Sequence, residues 1–162
     1  MKDKALVGLI LVTGLLMYGC VTIEVSQPEP VDMERSRVLE LDYDTTWFKA
    51  VDWFADHDIP IGMIEKPSGL LIPEQRIWAD ESWVKCGEYQ VRGSVVDRIE
   101  YSGSMNITVR PVTNDTTAVS VNFFAEGKVF TEQGQSGHLL CTSTGVFERR
   151  ILDFIEDSRS HQ

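Results

Sequence analysis

The chain is short of positive charge, of histidine and of cysteine, and each shortage removes a class of function. Its 162 residues carry 15 Lys and Arg against 25 Asp and Glu, a formal net charge of −10. Nucleic-acid-binding surfaces are basic, and a domain lying flat on an anionic leaflet also needs basic residues; neither role fits. The 3 histidines, His57, His138 and His161, have no short spacing between any two, whereas a structural zinc site takes Cys or His ligands in short pairs. His57 between Asp56 and Asp58 reads as a weak divalent-ion site or, equally well, as a solvated helix end. Gly127, Gly134 and Gly137 lack the Lys-Ser/Thr ending of a phosphate-binding loop. Cys86 with His138 matches no local signature of a thiol nucleophile. Asp42 and Asp44 would share one face of a strand as paired carboxylates do, but Asp44 also reads as a helix cap. The sequons at Asn106 and Asn114 read as chance. Nothing here specifies catalysis, a metal or a cofactor, and the chain reads as a non-enzyme.

What is present is concentrated at the N-terminus. Lys2 and Lys4 precede an apolar run from Ala5 to Leu16, and Met17-Tyr18-Gly19-Cys20 follows. A charged start, an apolar stretch of roughly 7–15 residues and a small residue before the cut describe a secretory signal peptide. With Cys20 first in the mature chain, the segment resembles a bacterial lipoprotein signal, although Met17 and Tyr18 stand where Leu and a small residue are usual. The other readings are an uncleaved anchor or an ordinary secreted protein. A spanning helix needs about 20 apolar residues, and no basic flank follows, only Glu24 and Glu29.

The resemblance implies that Cys20 carries acyl chains. At about 0.8 kcal/mol per buried CH₂, two or three such chains hold a protein firmly to a bilayer. Val21 follows the cysteine where an Asp would mark inner-membrane retention, so the expected location is the periplasmic face of the outer membrane. Loss of residues 1–19 removes Lys2, Asp3 and Lys4, one net positive charge, leaving 143 residues at −11. That length suits one domain. The expected division is a signal peptide over 1–19, a lipidated Cys and flexible tether over 20–36, and a single domain over 37–162. The tether reading rests on Pro28, Pro30 and four acidic residues with few apolar groups, a composition that buries too little to order itself.

With Cys20 lipidated, Cys86 and Cys141 remain in an oxidising compartment. An even remainder there reads as one disulfide; two separate buried thiols are the alternative. In the body of the chain, Leu39, Leu41 and Tyr43 alternate as a strand. A helix capped by Asp44 or Thr45 is expected to about Ala55, with Trp47, Val51 and Phe54 as its apolar stripe, widened by Phe48 and Ala50. Residues 61–64 and 69–72 read as a hairpin. Ser104–Val112 and Thr117–Phe124 alternate on either side of Thr113-Asn114-Asp115-Thr116 as a second hairpin, and 132–138 reads as a loop. The last helix, 143–157, turns Phe147, Ile151, Phe154 and Ile155 inward, with Ser143 or Thr144 as cap. The region 76–103 is the least patterned, with a strand expected only over 88–96.

Strands followed by a closing helix predict an α+β two-layer sandwich, an antiparallel sheet with two helices on one face. The stretch 39–72, with its Trp-bearing helix, Ile59-Pro60-Ile61 and Ser68-Gly69-Leu70-Leu71, resembles the helix-grip domains of the NlpB/DapX lipoprotein family of the outer-membrane barrel-assembly machinery. That resemblance implies a binding role and brings no catalytic residues with it. Trp78 and Trp83, with Arg76 and Tyr89 near them, would make a contact surface if 76–87 is an exposed loop, because Trp, Tyr and Arg dominate interface hot spots; otherwise both tryptophans pack over the sheet edge. The functional expectation is a lipid-anchored envelope protein that holds a protein partner near the membrane. The alternative is a small-ligand binder, for lipid or cell-wall fragments, using the groove between sheet and helix. A hydrolase is a distant third.

Overall fold

A computed structural model describes residues 21–157; Cys20, the signal segment and 158–162 lie outside the described residues. The elements in order are β1 (Thr22–Val25), β2 (Ser36–Leu39), α1 (Tyr43–Asp56), β3 (Ile61–Glu65), β4 (Leu70–Pro73), β5 (Ile77–Trp78), a 3₁₀ turn at Glu81–Trp83, β6 (Val84–Cys86), β7 (Tyr89–Arg92), β8 (Val96–Pro111), β9 (Thr117–Thr131), β10 (Ser136–Ser143) and α2 (Val146–Glu156).

The β8–β9 hairpin is the spine. Its register runs from Arg98 opposite Phe130 to Pro111 opposite Thr117. Sheet order is β3–β4–β8–β9–β10–β6, with β5 beside β8 and β2 beside β9, eight strands in all. Both helices cover one face, making the α+β two-layer sandwich. Strand alternation points Met105, Ile107 and Val109 of β8 and Val119, Val121 and Phe123 of β9 at the helices, all 5 % exposed or less. Phe54 from α1 and Ile151 and Ile155 from α2 meet them, fully buried. Each such side chain contributes about 1.5–3 kcal/mol on burial.

Local details depart from expectation for identifiable reasons. The N-cap of α1 is Asp42, not Asp44 or Thr45: its carboxylate accepts from the Thr45 amide at 2.9 Å and the Thr45 hydroxyl at 2.7 Å. Those two donors hold the Asp42 carboxyl below its ordinary range, the hydroxyl contributing most. Phe48, expected inward, is exposed and lies under the Lys66 ammonium at 4.8 Å, whereas Trp53 takes the buried place. At α2 the N-cap is Gly145, at φ 81°, with no side-chain cap. Ser143 serves from two residues further back, accepting from the Gly145 amide at 3.1 Å and donating to the buried Glu148 carboxylate at 2.7 Å. Residues 136–138, expected in a loop, begin β10.

The largest departure is at the N-terminus. Where composition reads as a flexible tether, Thr22–Val25 pairs antiparallel with Tyr89–Arg92 as a separate two-stranded sheet. Ser26 continues the contact, its amide donating to the Glu88 carbonyl at 2.8 Å. Further on, Glu29 meets Lys85 at 3.1 Å and the Val121 amide donates to the Arg35 carbonyl at 2.8 Å. Partners distant in sequence supply the order that the segment's own composition does not.

Cys86 and Cys141 face each other across β6 and β10 and are joined as a disulfide. The inward position between them and β8 is Gly127. A Cβ there would lie 3.0 Å from the Cys141 sulfur and 3.3 Å from the Cys86 sulfur, so the missing side chain is the slot the bridge fills.

Candidate partner-binding surface

The alternation that builds the core also composes the opposite face of the sheet, which no helix among the described residues covers. β5 contributes two residues. Ile77 pairs with Gly103 on the core side, so Trp78, opposite Ser102, turns outward and is 72 % exposed. Register then sets Trp78, Ser102, Glu126 and Leu140 in one row across β5, β8, β9 and β10. The next row holds Glu100, Lys128 and His138. Phe124, 56 % exposed, pairs with Ser104 and is the diagonal neighbour of Leu140, a relation of about 7–8 Å.

Of these, Trp78, Glu100, Lys128 and His138 line a depression of about 330 Å³ together with Arg76. Arg76 lies 2.7 Å from Glu126 across it. Both partners are about half exposed, and surface ion pairs contribute about 0–1 kcal/mol, so either can be given up to a bound partner at little loss. Beside it, the Arg98 guanidinium stacks over Phe130 at 4.0 Å. The arrangement offers a flat indole for stacking, apolar flanks, and charges of both signs within reach.

The four residues singled out in the sequence do not come together. Arg76 and Trp78 share the outer face. Residues 79–83 then carry the chain from β5, beside β8, to β6, beside β10. Asp80 holds this passage, accepting from the Ser82 hydroxyl and amide, which lowers its carboxyl's pKa, the hydroxyl contributing most. Trp83 ends on the core side, stacked on Phe147 at 4.4 Å with the Arg150 guanidinium 5.7 Å away. Tyr89 belongs to β7, opposite Val25. Phe124, Leu140 and Lys128 were not singled out; their outward phase in strands β9 and β10 was the available signal.

Residues weighed for chemistry have structural places. Asp42 caps α1, and Asp44 in the first turn pairs with Lys66 at 2.9 Å. The His57 ring meets the Trp53 carbonyl at 2.8 Å and stacks on the Trp53 indole at 4.8 Å. Cys86 faces the core side in its disulfide, whereas His138 lines the outer depression. Among the described residues no three His, Cys, Asp or Glu side chains converge as a metal site. No helix among them is long and apolar enough to cross a membrane. A second depression, about 340 Å³, lies at the far end of the sheet between Tyr43, residues 66–69 and Val109–Pro111.

Compared with known proteins, the chain matches no family model and no curated sequence.

Proposed function

We propose that this protein is a lipid-anchored accessory protein of the bacterial envelope, attached through Cys20 at the periplasmic face of the outer membrane, and that it binds a protein partner through the outer sheet face around Trp78. The observation that carries the reading is the grouping of Trp78, Phe124 and Leu140, all exposed, beside the Arg76–Glu126 pair. Aromatic residues and Arg are the types enriched where proteins meet, and large exposed apolar groups gathered on one face of a soluble domain mark interaction sites. The lipid would confine the domain near the membrane and so raise its effective concentration for partners there. The acidic body of the chain favours a partner with a basic rim.

A small ligand in the sheet-to-helix groove has less support. Trp47, Trp53, Phe54 and Phe147 occupy that interval, each 4 % exposed or less. The experiment is to cross-link living cells that express the protein and identify what co-purifies from the membrane fraction, with Cys20→Ser and Trp78→Ala in parallel. The proposal expects one or two stoichiometric envelope proteins, weakened in both variants. A preparation without partners, or partners indifferent to Trp78→Ala, contradicts it.

A further inference from the structure

The path of residues 21–36 determines how the domain would stand on a bilayer, given the lipidation of Cys20 proposed above, on which this inference rests. Only Val21 separates Cys20 from Thr22, where β1 begins. Consecutive Cα atoms are about 3.8 Å apart, so the lipidated residue is held within about 8 Å of Thr22. β1 is itself fixed: Thr22 pairs with Arg92. A Cβ on Gly137 would lie 2.9 Å from Ile23, so that side chain packs directly on β10. Gly137 in turn pairs with Val129, close to the end of β9 at Thr131. From Ile23 the chain runs along the sheet to Arg35 beside Val121 and then into β2. The N-terminus therefore leaves the domain at the open end of the β8–β9 hairpin, where the Glu132 amide donates to the Val95 carbonyl at 3.1 Å.

We propose that this end, comprising residues 92–96 and 131–136, rests against the lipid headgroups, and that the β8–β9 hairpin stands away from the membrane as a rigid spacer. The charges near it are mostly paired but net acidic, Glu132 adding a further carboxylate, so the acyl anchor and not charge would hold this end to the bilayer. Arg92 faces Glu24 at 3.5 Å, and Arg98 holds Asp97 at 2.9 Å and Glu100 at 2.8 Å. Val95, 60 % exposed, is an apolar contact at the tip. β8 has 16 residues; at about 3.3 Å per residue the turn at 113–116 stands about 50 Å from the headgroups. Trp78, level with Ser102, stands about 20 Å out. The partner surface then faces sideways at a set height, which restricts partners to proteins that present their complementary surface near the bilayer.

The test uses the full-length lipidated protein in phosphatidylethanolamine–phosphatidylglycerol vesicles containing spin-labelled headgroups. Its disulfide is kept oxidised, and a fluorophore is placed on Val95→Cys or on Asn114→Cys. The proposal expects several-fold stronger quenching at position 95 than at 114, and loss of the difference when a Gly-Ser linker is inserted between Val21 and Thr22. Equal quenching at both positions, or stronger quenching at 114, overturns the upright stance while leaving the anchor intact. Vesicle binding that survives Cys20→Ser refutes the lipidation itself, and the stance with it.

Discussion

Removal of the Cys86–Cys141 bridge is the perturbation whose size the structure sets most directly. The two residues are 55 apart in sequence. On the chain-entropy model, releasing a loop of that length from the denatured state lowers stability by about 4 kcal/mol. At an m-value of about 2 kcal/mol/M this moves the urea midpoint down by about 2 M. The effect has a local signature as well. β6 is held to β10 by three register pairs, Cys141 with Cys86, Thr142 with Lys85 and Ser143 with Val84, and Trp83 immediately precedes β6. Loosening β6 should therefore disturb the Trp83–Phe147 stack and shift the indole emission before the main transition. The assay is urea unfolding of the wild type and the Cys86→Ser/Cys141→Ser protein, followed by fluorescence and far-UV circular dichroism. Coincident midpoints for the two proteins would refute the role assigned to the bridge.

Gly127→Val puts a branched side chain into the slot beside both sulfurs. Overpacking of this kind costs about 1–3 kcal/mol, and the loss should shrink when measured in the Cys86→Ser/Cys141→Ser background. Trp83→Ala, which removes the stack on Phe147, is expected to destabilise by about 3 kcal/mol. Trp78→Ala should change stability by no more than about 0.5 kcal/mol while weakening partner binding, so thermal melts and co-purification must separate the two tryptophans. The carboxyl pKa values of Asp42 and Glu34 are lowered, chiefly by Thr45 and Arg37 respectively. A depressed carboxylate contributes stability above its unfolded value of about 4 and loses it as pH falls further. Asp42→Asn, which keeps a cap without the charge, should flatten that acid limb in unfolding titrations.

The legible parts of the chain were those whose pattern is local. Ser104–Val112 and Thr117–Phe124 alternate over enough residues to announce a hairpin, and its turn falls at 113–116. The first helix was equally plain in extent. Its stripe was not: Trp53 is buried and Phe48 exposed, because α1 meets both the sheet and α2, a wider contact than one apolar row describes. β1 was hidden for a different reason. Ile23 and Val25 alternate over only four residues, and their partners Val91 and Tyr89 lie far along the chain. Nothing local could distinguish that strand from a tether. The same holds for 76–103, where β5 has two residues and β6 three, each existing only through a distant neighbour. Trp78 and Trp83 share a segment in sequence but lie on opposite faces, because the chain crosses the core side of the sheet between them.

The central claim is that the outer face around Trp78 meets a protein in the envelope. The direct measurement is site-specific photo-cross-linking in living cells, with a photoreactive residue at Phe124, on that face, and at Asn114, in the distant turn. The account predicts a discrete protein adduct from position 124 that is absent from position 114 and depends on Trp78. No adduct at 124, or the same adducts from both positions, would contradict it.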